Sequence, residues 1–360
     1  MTDIELLIAE GAHRLFADLG ARTTVEMMER GEWPATAWTQ LVDSGFLDVL
    51  MASGTEQETG HWSQAFPVLH AAGLHCVPLP VGEPIIAKAL ASKAGLGAAT
   101  GLLTFVHAGP ELRAEFRGDR LVLTGHVNAV PWARFAVGMV LSAKIDDATV
   151  LALVNLQGPT IELRDGRNAA DEPRDAVILK EVEASNWTHL TPDRADDLLN
   201  FGALARSAML VGAAESALSL ALQYAGERRQ FGRALSQFQA IQQMLAMLAG
   251  EVTAAKTVTR AAFDAAAPEP RPFDVAVAKI RAGRAAGLAA SIAHQVHGAI
   301  GFAAEHNLQL RTRRLWSWRS EDGAESDWAE RLGRTAIEGG GASFWRYLTA
   351  EQAARKGLEV

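Results

Sequence analysis

The sequence predicts a mainly helical α+β protein in which a small antiparallel β-domain separates an N-terminal helical domain from a C-terminal helical bundle. Three observations predict it. Ala and Leu dominate a composition that is 49% hydrophobic and 21% charged, which favours helix over strand in a soluble globular chain. Apolar residues recur at helical spacing in both terminal regions, whereas the middle breaks into short apolar runs punctuated by turns. At 360 residues the chain is long enough for two or three domains, and these textures place them at 1–100, 101–191 and 192–360.

From Ile4 to about Leu96 the pattern is helical with Gly, Pro and Ser breaks, and Leu41, Val42, Phe46 and Leu47 fall on one predicted helical face. The segment Glu115-Phe-Arg-Gly-Asp-Arg-Leu-Val-Leu-Thr then sets a Gly-Asp turn between two stretches able to form strands. Phe135–Leu141 and Ile145–Val154 continue the theme with no long helix between them, as expected of antiparallel strands. After Pro192-Asp-Arg-Ala the helical pattern returns. Phe238, Ile241, Leu245, Leu248, Val252 and Ala255 repeat at 3,4,3,4,3 spacing, the core stripe of a long amphipathic helix. Ala267-Pro-Glu-Pro-Arg-Pro reads as the loop that ends it, because prolines remove donors and disfavour the α conformation before them. Another helix runs from Phe273 towards His297.

Several function classes are excluded by bulk properties. A net charge of −8 with basic and acidic residues interleaved argues against nucleic acid as a partner. Cys76 is the only cysteine, so neither an internal disulfide nor an all-cysteine metal site can form, and none of the ten histidines falls in a metal-spaced cluster. No metal is expected. The N-terminus opens acidic and polar, and no run of about 18 uninterrupted apolar residues follows, so export and membrane spanning are not indicated and a cytoplasmic protein is expected. Nucleophile-elbow, phosphate-loop and dinucleotide Gly-rich motifs are absent.

The most informative segment is Tyr224-Ala-Gly-Glu-Arg-Arg-Gln-Phe-Gly-Arg-Ala-Leu-Ser-Gln-Phe-Gln, which joins two helical patterns through a loop rich in Arg, Gln and Gly. Arg228 and Arg229 carry guanidinium forks suited to phosphate oxygens, Gly232 permits a turn of positive φ, and a helix restarting near Ser236 would present free N–H groups. An anionic cofactor fits such a loop. The segment resembles the Arg-x-Gln-Phe-Gly…Phe-Gln loop of the FAD-dependent acyl-CoA dehydrogenase family, and His294-Gln-Val-His-Gly-Ala-Ile-Gly-Phe302 resembles a second family segment, Gln-x-x-Gly-Gly-x-Gly-Phe. The resemblance implies an acyl-CoA dehydrogenase-like fold ending in a four-helix bundle. It also implies that Arg228, Gln230, Phe231, Leu235 and Gln239 line the FAD diphosphate and adenosine in one subunit, while Gln295, Gly298 and Ala299 meet the FAD of a neighbour. An acyl-CoA substrate, an electron-transfer flavoprotein as acceptor, and a homodimer, homotetramer or heterotetramer with a related subunit follow from the same resemblance.

The middle of the chain departs from the family. The usual Thr-Glu-Pro-Gly-x-Gly-Ser-Asp segment is replaced around Phe105-Val-His-Ala-Gly-Pro-Glu, and the Trp-Ile-Thr segment beside the flavin ring corresponds to Ala129-Val130-Pro131. By counting from Phe302, the family's catalytic Glu becomes Asp322, with Glu321 beside it; the earlier-helix position used by a subgroup becomes Gly202. The chemistry needs a desolvated carboxylate to take a proton from the carbon beside the thioester while hydride leaves the β-carbon. Four readings of Asp322 stand side by side. It is a working base, or its counterpart in a non-catalytic FAD-holding subunit of a heteromer, including those acting on steroid side chains. Alternatively it is the Asp base of a nitroalkane-oxidase-like flavoenzyme, or a helix N-cap, since Asp322-Gly-Ala-Glu325 has capping-box spacing. Trp316, Trp318 and Trp328 crowd this loop as packing or interface residues, or as walls for a bulky acyl group.

Overall fold

The computed structural model describes residues 2–51, 61–97 and 101–340. Five helices come first: α1 (Asp3–Leu19), α2 (Arg22–Glu29), α3 (Ala35–Asp43), α4 (Trp62–Leu74) and α5 (Gly82–Lys93). Thr2 and Glu5 start α1 with a reciprocal capping box, Glu5 N donating to Thr2 Oγ1 and Thr2 N to Glu5 Oε2. Glu5 also accepts from Arg260 at 2.8 Å, which ties this helix to the C-terminal half. The expected helical face at Leu41–Leu47 is interrupted: α3 stops at Asp43, Gly45 turns with φ 74°, and Phe46–Asp48 is a short 3-10 turn. Leu41 and Leu47 are still buried, but Val42 is 43% exposed.

Eight strands follow: β1 (Leu103–His107), β2 (Leu112–Arg117), β3 (Arg120–Pro131), β4 (Gly138–Ile145), β5 (Ala148–Asn155), β6 (Ile161–Arg164), β7 (Arg174–Glu183) and β8 (Asn186–Leu190). They form two four-stranded sheets ordered β1-β4-β5-β8 and β2-β3-β7-β6. All pairings within them are antiparallel except β1 with β4, which run parallel. Their inner faces enclose a core of Leu121, Leu123, Val130, Met139, Leu141, Val150 and Val177.

The chain then returns to helix as α6 (Asp197–Glu227), a small hairpin of β9 (Arg229–Gln230) and β10 (Arg233–Ala234), α7 (Gln239–Ala265), α8 (Pro272–His297), α9 (Leu308–Trp318) and α10 (Glu325–Gly339). Pro272 opens α8 at a position where its missing N–H costs nothing. By length and composition α6 is apolar enough to cross a membrane, yet it is largely sheathed by other helices and serves as the central rod of the core. One contiguous cluster merges the N-terminal helices with α6, α7, α8 and α9. Helices α4 and α6 touch backbone to backbone: a β-carbon at Gly73 would stand 2.0 Å from the Met209 carbonyl oxygen, and one at Gly212 would stand 2.1 Å from that of His70. Only glycine permits that approach.

Candidate active site

The turn from α9 to α10 is built to point one side chain inward. Asp322 and Gly323 both have positive φ, 55° and 89°, which doubles the chain back and sends the Asp322 carboxylate towards α6. Three hydrogen bonds from two side chains hold this backbone in place. Lys279, fully buried on α8, donates to the carbonyls of Arg319 (2.8 Å) and Gly323 (2.6 Å), and Trp328 Nε1 donates to that of Asp322 (2.9 Å). The capping reading of Asp322 is therefore corrected. Ala324 is the residue before α10, its N–H is satisfied by Asp327, and no side-chain cap comes from Asp322.

On α6 the carboxylate meets a glycine. A β-carbon at Gly202 would lie 2.6 Å from Asp322 Oδ1 and 2.9 Å from the Phe105 ring, so the missing side chain is the berth. Gly202 and Arg206 are one helical turn apart and share that face. Arg206, buried, places Nε 3.4 Å from Asp322 Oδ2 and Nη2 3.0 Å from both Glu83 and Glu321. Its guanidinium also lies 5.6 Å from the centre of the Trp318 ring.

Glu321 faces the other way, towards the β-sheet. Arg174, opposite Pro131 in the β3–β7 register, grips it with two bonds of 3.0 and 2.8 Å, and Asn168 adds a third of 3.0 Å. Glu172 completes the network through Arg174, Arg314 and Trp318 Nε1. The two adjacent acids are thereby pushed apart. Burial alone would raise Glu321, but Arg174 and Arg206 hold it down to about 2. Burial pushes Asp322 above the usual carboxylate range, with Glu321 adding to the rise and Arg206 opposing it. Burial also brings Lys279 down to about 8. The two neighbouring acids thus differ in environment: Glu321 is held charged by two guanidinium groups, while Asp322 is shifted mainly by burial.

Ala129, Val130 and Pro131 lie at the end of β3, where Pro131 offers no N–H and its carbonyl accepts from Thr104 Oγ1 at 2.6 Å. Arg174, the register partner of Pro131, links this segment to the Asp322 turn through Glu321. Beside the turn, Asn200, Phe273, Ala276, Trp328, Arg331 and Leu332 line an open cleft of about 560 Å³. A larger cleft of about 1,030 Å³ runs from His107–Pro110 past the β4–β5 turn and shares Asp196 and Arg331 with the first. Arg331 and Asp196 pair at 2.8 Å where the two meet.

The expected cofactor residues gather elsewhere. Phe231 and Gly232, at φ 51° and 81°, turn the β9–β10 hairpin, and Phe231 is 91% exposed. With its amide oxygen turned towards Arg228, Gln230 accepts from Nη2 at 2.7 Å, while Leu235 N closes the loop on the Arg228 carbonyl. The helix expected from Ser236 is a 3-10 turn over Leu235–Gln237, and α7 proper begins at Gln239, which is exposed. Gln295, Gly298 and Ala299 are exposed at the end of α8. Tyr224 stacks on His297 at 4.5 Å, so both groups sit at the same end of one chain. His297 uses one ring nitrogen, Nδ1 bonding to Ala293 O, as a packed histidine would. Along α6 this end lies roughly 40 Å from Gly202, at 1.5 Å per residue.

Arg206, Arg174, Glu83 and Lys279 are site residues that the sequence reading missed. Two of them left a signal: Arg206 is a lone cation in the apolar run Phe201–Ala214, and Lys279 interrupts a similarly small, apolar face of α8. Trp318 and Trp328 prove to be buried packing, whereas Trp316 is half exposed.

Comparison with known proteins now adds to this geometry. The family model for the acyl-CoA dehydrogenase C-terminal domain matches residues 193–334. The 3-sulfinopropanoyl-CoA desulfinase of Paraburkholderia xenovorans is 36% identical over 219 residues, 56% of this chain and 56% of that protein. The chain thus spans about half the length of curated relatives of this kind. Among solved structures, a variant of the Tcur3481-Tcur3483 steroid ACAD is similar at TM-score 0.85 and 24% identity, covering 93% of this chain and 98% of that one. The ChsE4-ChsE5 complex from Mycobacterium tuberculosis gives 0.86 and 21%, covering 94% and 98%. At these identities the structural likeness speaks for the fold.

Proposed function

We propose, from the premise that the chain belongs to the acyl-CoA dehydrogenase family, that it is a subunit of an FAD-dependent enzyme forming an α,β double bond in a CoA thioester. The observation that carries this reading is the Asp322 carboxylate, desolvated, raised in pKa and seated against Gly202, at the residue that the resemblance aligns with the family's base. In that role it takes the α-proton. A carboxylate whose proton affinity is raised towards working pH is suited to the step.

The chain's own residues fit the diphosphate end of FAD. Arg228 and Gln230 stand exposed on a turn of two positive-φ residues, with Gln239 at the following helix start, a donor set of the right charge. When bound, FAD supplies the hydride acceptor. At the ring end Pro131 contributes no backbone donor, so orientation there falls to other groups. Because the hairpin lies roughly 40 Å along α6 from Gly202, further than one FAD reaches, it would serve a site whose base belongs to another subunit. An oligomer follows, with Arg228, Gln230, Phe231, Leu235 and Gln239, together with Gln295, Gly298 and Ala299, presented to the partner. The exposed Phe231, Ile300 and Phe302 supply apolar contact surface at that end.

A bulky acyl group, steroid-derived ones included, is the proposed substrate: an open cleft lies between the start of α8 and α10, lined in part by Phe273 and Leu332, and one similar structure is described as a steroid ACAD. An electron-transfer flavoprotein is the proposed acceptor. A second reading is favoured by the ion pairs that tether Glu321 and Asp322 to Arg174 and Arg206: the chain holds a partner's FAD and performs no chemistry itself. The test is the visible spectrum of the purified chain, alone and with any co-purifying subunit, before and after anaerobic addition of acyl-CoA thioesters. Bleaching that disappears in Asp322→Asn with flavin retained supports the base. Bleaching unchanged by Asp322→Asn assigns the chemistry to the partner.

A further inference from the structure

The residues that surround the Asp322 carboxylate come from four separate elements, and one of them touches every other acid in the cluster. Glu83 approaches from α5, Arg206 from α6, Lys279 from α8, and Glu321 from the same turn. Arg174 stands behind Glu321 on β7. Arg206 is the common partner of Glu83, Glu321 and Asp322, and its remaining Nη1 faces the Met209 sulfur at 3.8 Å. Each guanidinium nitrogen therefore has an assigned neighbour, which fixes the plane of the group.

That geometry makes the Asp322 rotamer depend on α6 twice. Gly202 leaves the space that Oδ1 fills, and Arg206, on the next turn of the same face, draws Oδ2. Without the cation nothing on α6 attracts the carboxylate into its berth. Glu321, with the bidentate grip of Arg174, keeps its place by itself. The 3.4 Å contact to Asp322 is the longest of the three ion pairs that Arg206 makes, so this acid alone of the three has freedom to exchange a proton without breaking a tight pair.

We propose that Arg206 is the positioning residue of the site, seating the Asp322 carboxylate against Gly202 and setting the pH range over which it accepts a proton. The inference rests on the base role given to Asp322 above, but its test does not. Asp322 can be followed by carbon-13 NMR of Asp-labelled protein, with its carboxyl signal assigned by its disappearance in Asp322→Asn. Relative to the parent, Arg206→Met is expected to raise the Asp322 midpoint by about one pH unit or more, the size of losing one close opposite charge. Arg206→Lys, which keeps the charge, is expected to restore most of the shift.

Should Arg206→Met fail to fold with two acids left unpaired, Arg206→Met/Glu83→Gln removes the buried pair together. Its midpoint is still expected to rise, because Arg206 acts on Asp322 more strongly than Glu83 does. A midpoint unmoved in the foldable variants, or equally moved in Arg206→Lys and Arg206→Met, overturns the proposal. If the midpoint rises as expected while the parent protein never bleaches with any thioester, the dehydrogenase reading falls and the positioning role stands.

Discussion

Asp322 Oδ1 lies 2.6 Å from the point where a β-carbon on Gly202 would stand, so these two residues, 120 positions apart, occupy a single side-chain site between them. The acid on the α9–α10 turn and the bare position on α6 are two ways of filling the same space. Gly202→Ala should therefore displace Asp322 and press on the Phe105 ring, costing about 1–3 kcal/mol of stability by overpacking. A base moved by about 1 Å should slow flavin bleaching roughly 100-fold. Thermal unfolding and stopped-flow bleaching measure the two effects. A Gly202→Ala protein as fast as the parent would show that the berth plays no part.

The shared site also predicts a transfer. In Gly202→Glu/Asp322→Gly the acid moves to α6 while the turn loses its own, and partial bleaching activity is expected where Asp322→Gly alone has none. Bleaching rates for the two variants, each normalised to bound flavin, check this.

The split between Glu321 and Asp322 has opposite consequences for stability against pH. Glu321 is depressed to about 2 from an ordinary 4.5, so its contribution is present above pH 4.5 and is lost as pH falls towards 2. Asp322 is raised, so its contribution is present below its unfolded value and is lost as pH rises through its folded one. At neutral pH, Asp322→Asn should accordingly raise the melting temperature, while Glu321→Gln should lower it, since breaking a buried pair costs about 3–5 kcal/mol of stability. Melting curves at pH 7 and pH 4 decide the signs.

The turn itself depends on Lys279. Replacing it with Met leaves the Arg319 and Gly323 carbonyls without their donor, at about 1–3 kcal/mol for each buried acceptor left unpaired. The expected outcome is a lowered melting temperature together with faster hydrogen exchange confined to residues 319–324. Uniform acceleration across the chain would mean that Lys279 supports the bundle generally.

The sequence foretold the order of helices and strands because its periodicities are local: the stripe through Leu245, Leu248 and Val252 and the Gly-Asp turn at 118–119 each announce one element. Asp322 was singled out by counting from Phe302, and the structure shows it largely buried in a network of charged groups. What surrounds it was not legible. Glu83, Arg174, Arg206 and Lys279 come from four elements scattered over 197 positions, from 83 to 279, and their pairing is a product of tertiary packing. A lone Arg inside an apolar helix signals that a partner exists without saying which. The β1–β4 parallel pairing was hidden for the same reason, since strand direction within a sheet is set by connections and not by the residues of either strand.

The hairpin gives a prediction that separates cofactor binding from the chemistry of Asp322. Arg228 is exposed and its side chain pairs, among the described residues, with that of Gln230, so Arg228→Ala should leave folding intact. A charge-assisted hydrogen bond contributes about 1.5–3 kcal/mol, which corresponds to roughly 10- to 150-fold weaker FAD retention. Phe231→Ala removes a side chain that is 91% exposed in the single chain, and should weaken subunit association if that ring is covered in the oligomer. The ratio of flavin to protein absorbance after gel filtration reports the first effect, and the elution position reports the second. The Asp322 midpoint should be the same in both variants, because the hairpin stands at the far end of α6; a shift there would mean that the two ends of the helix communicate.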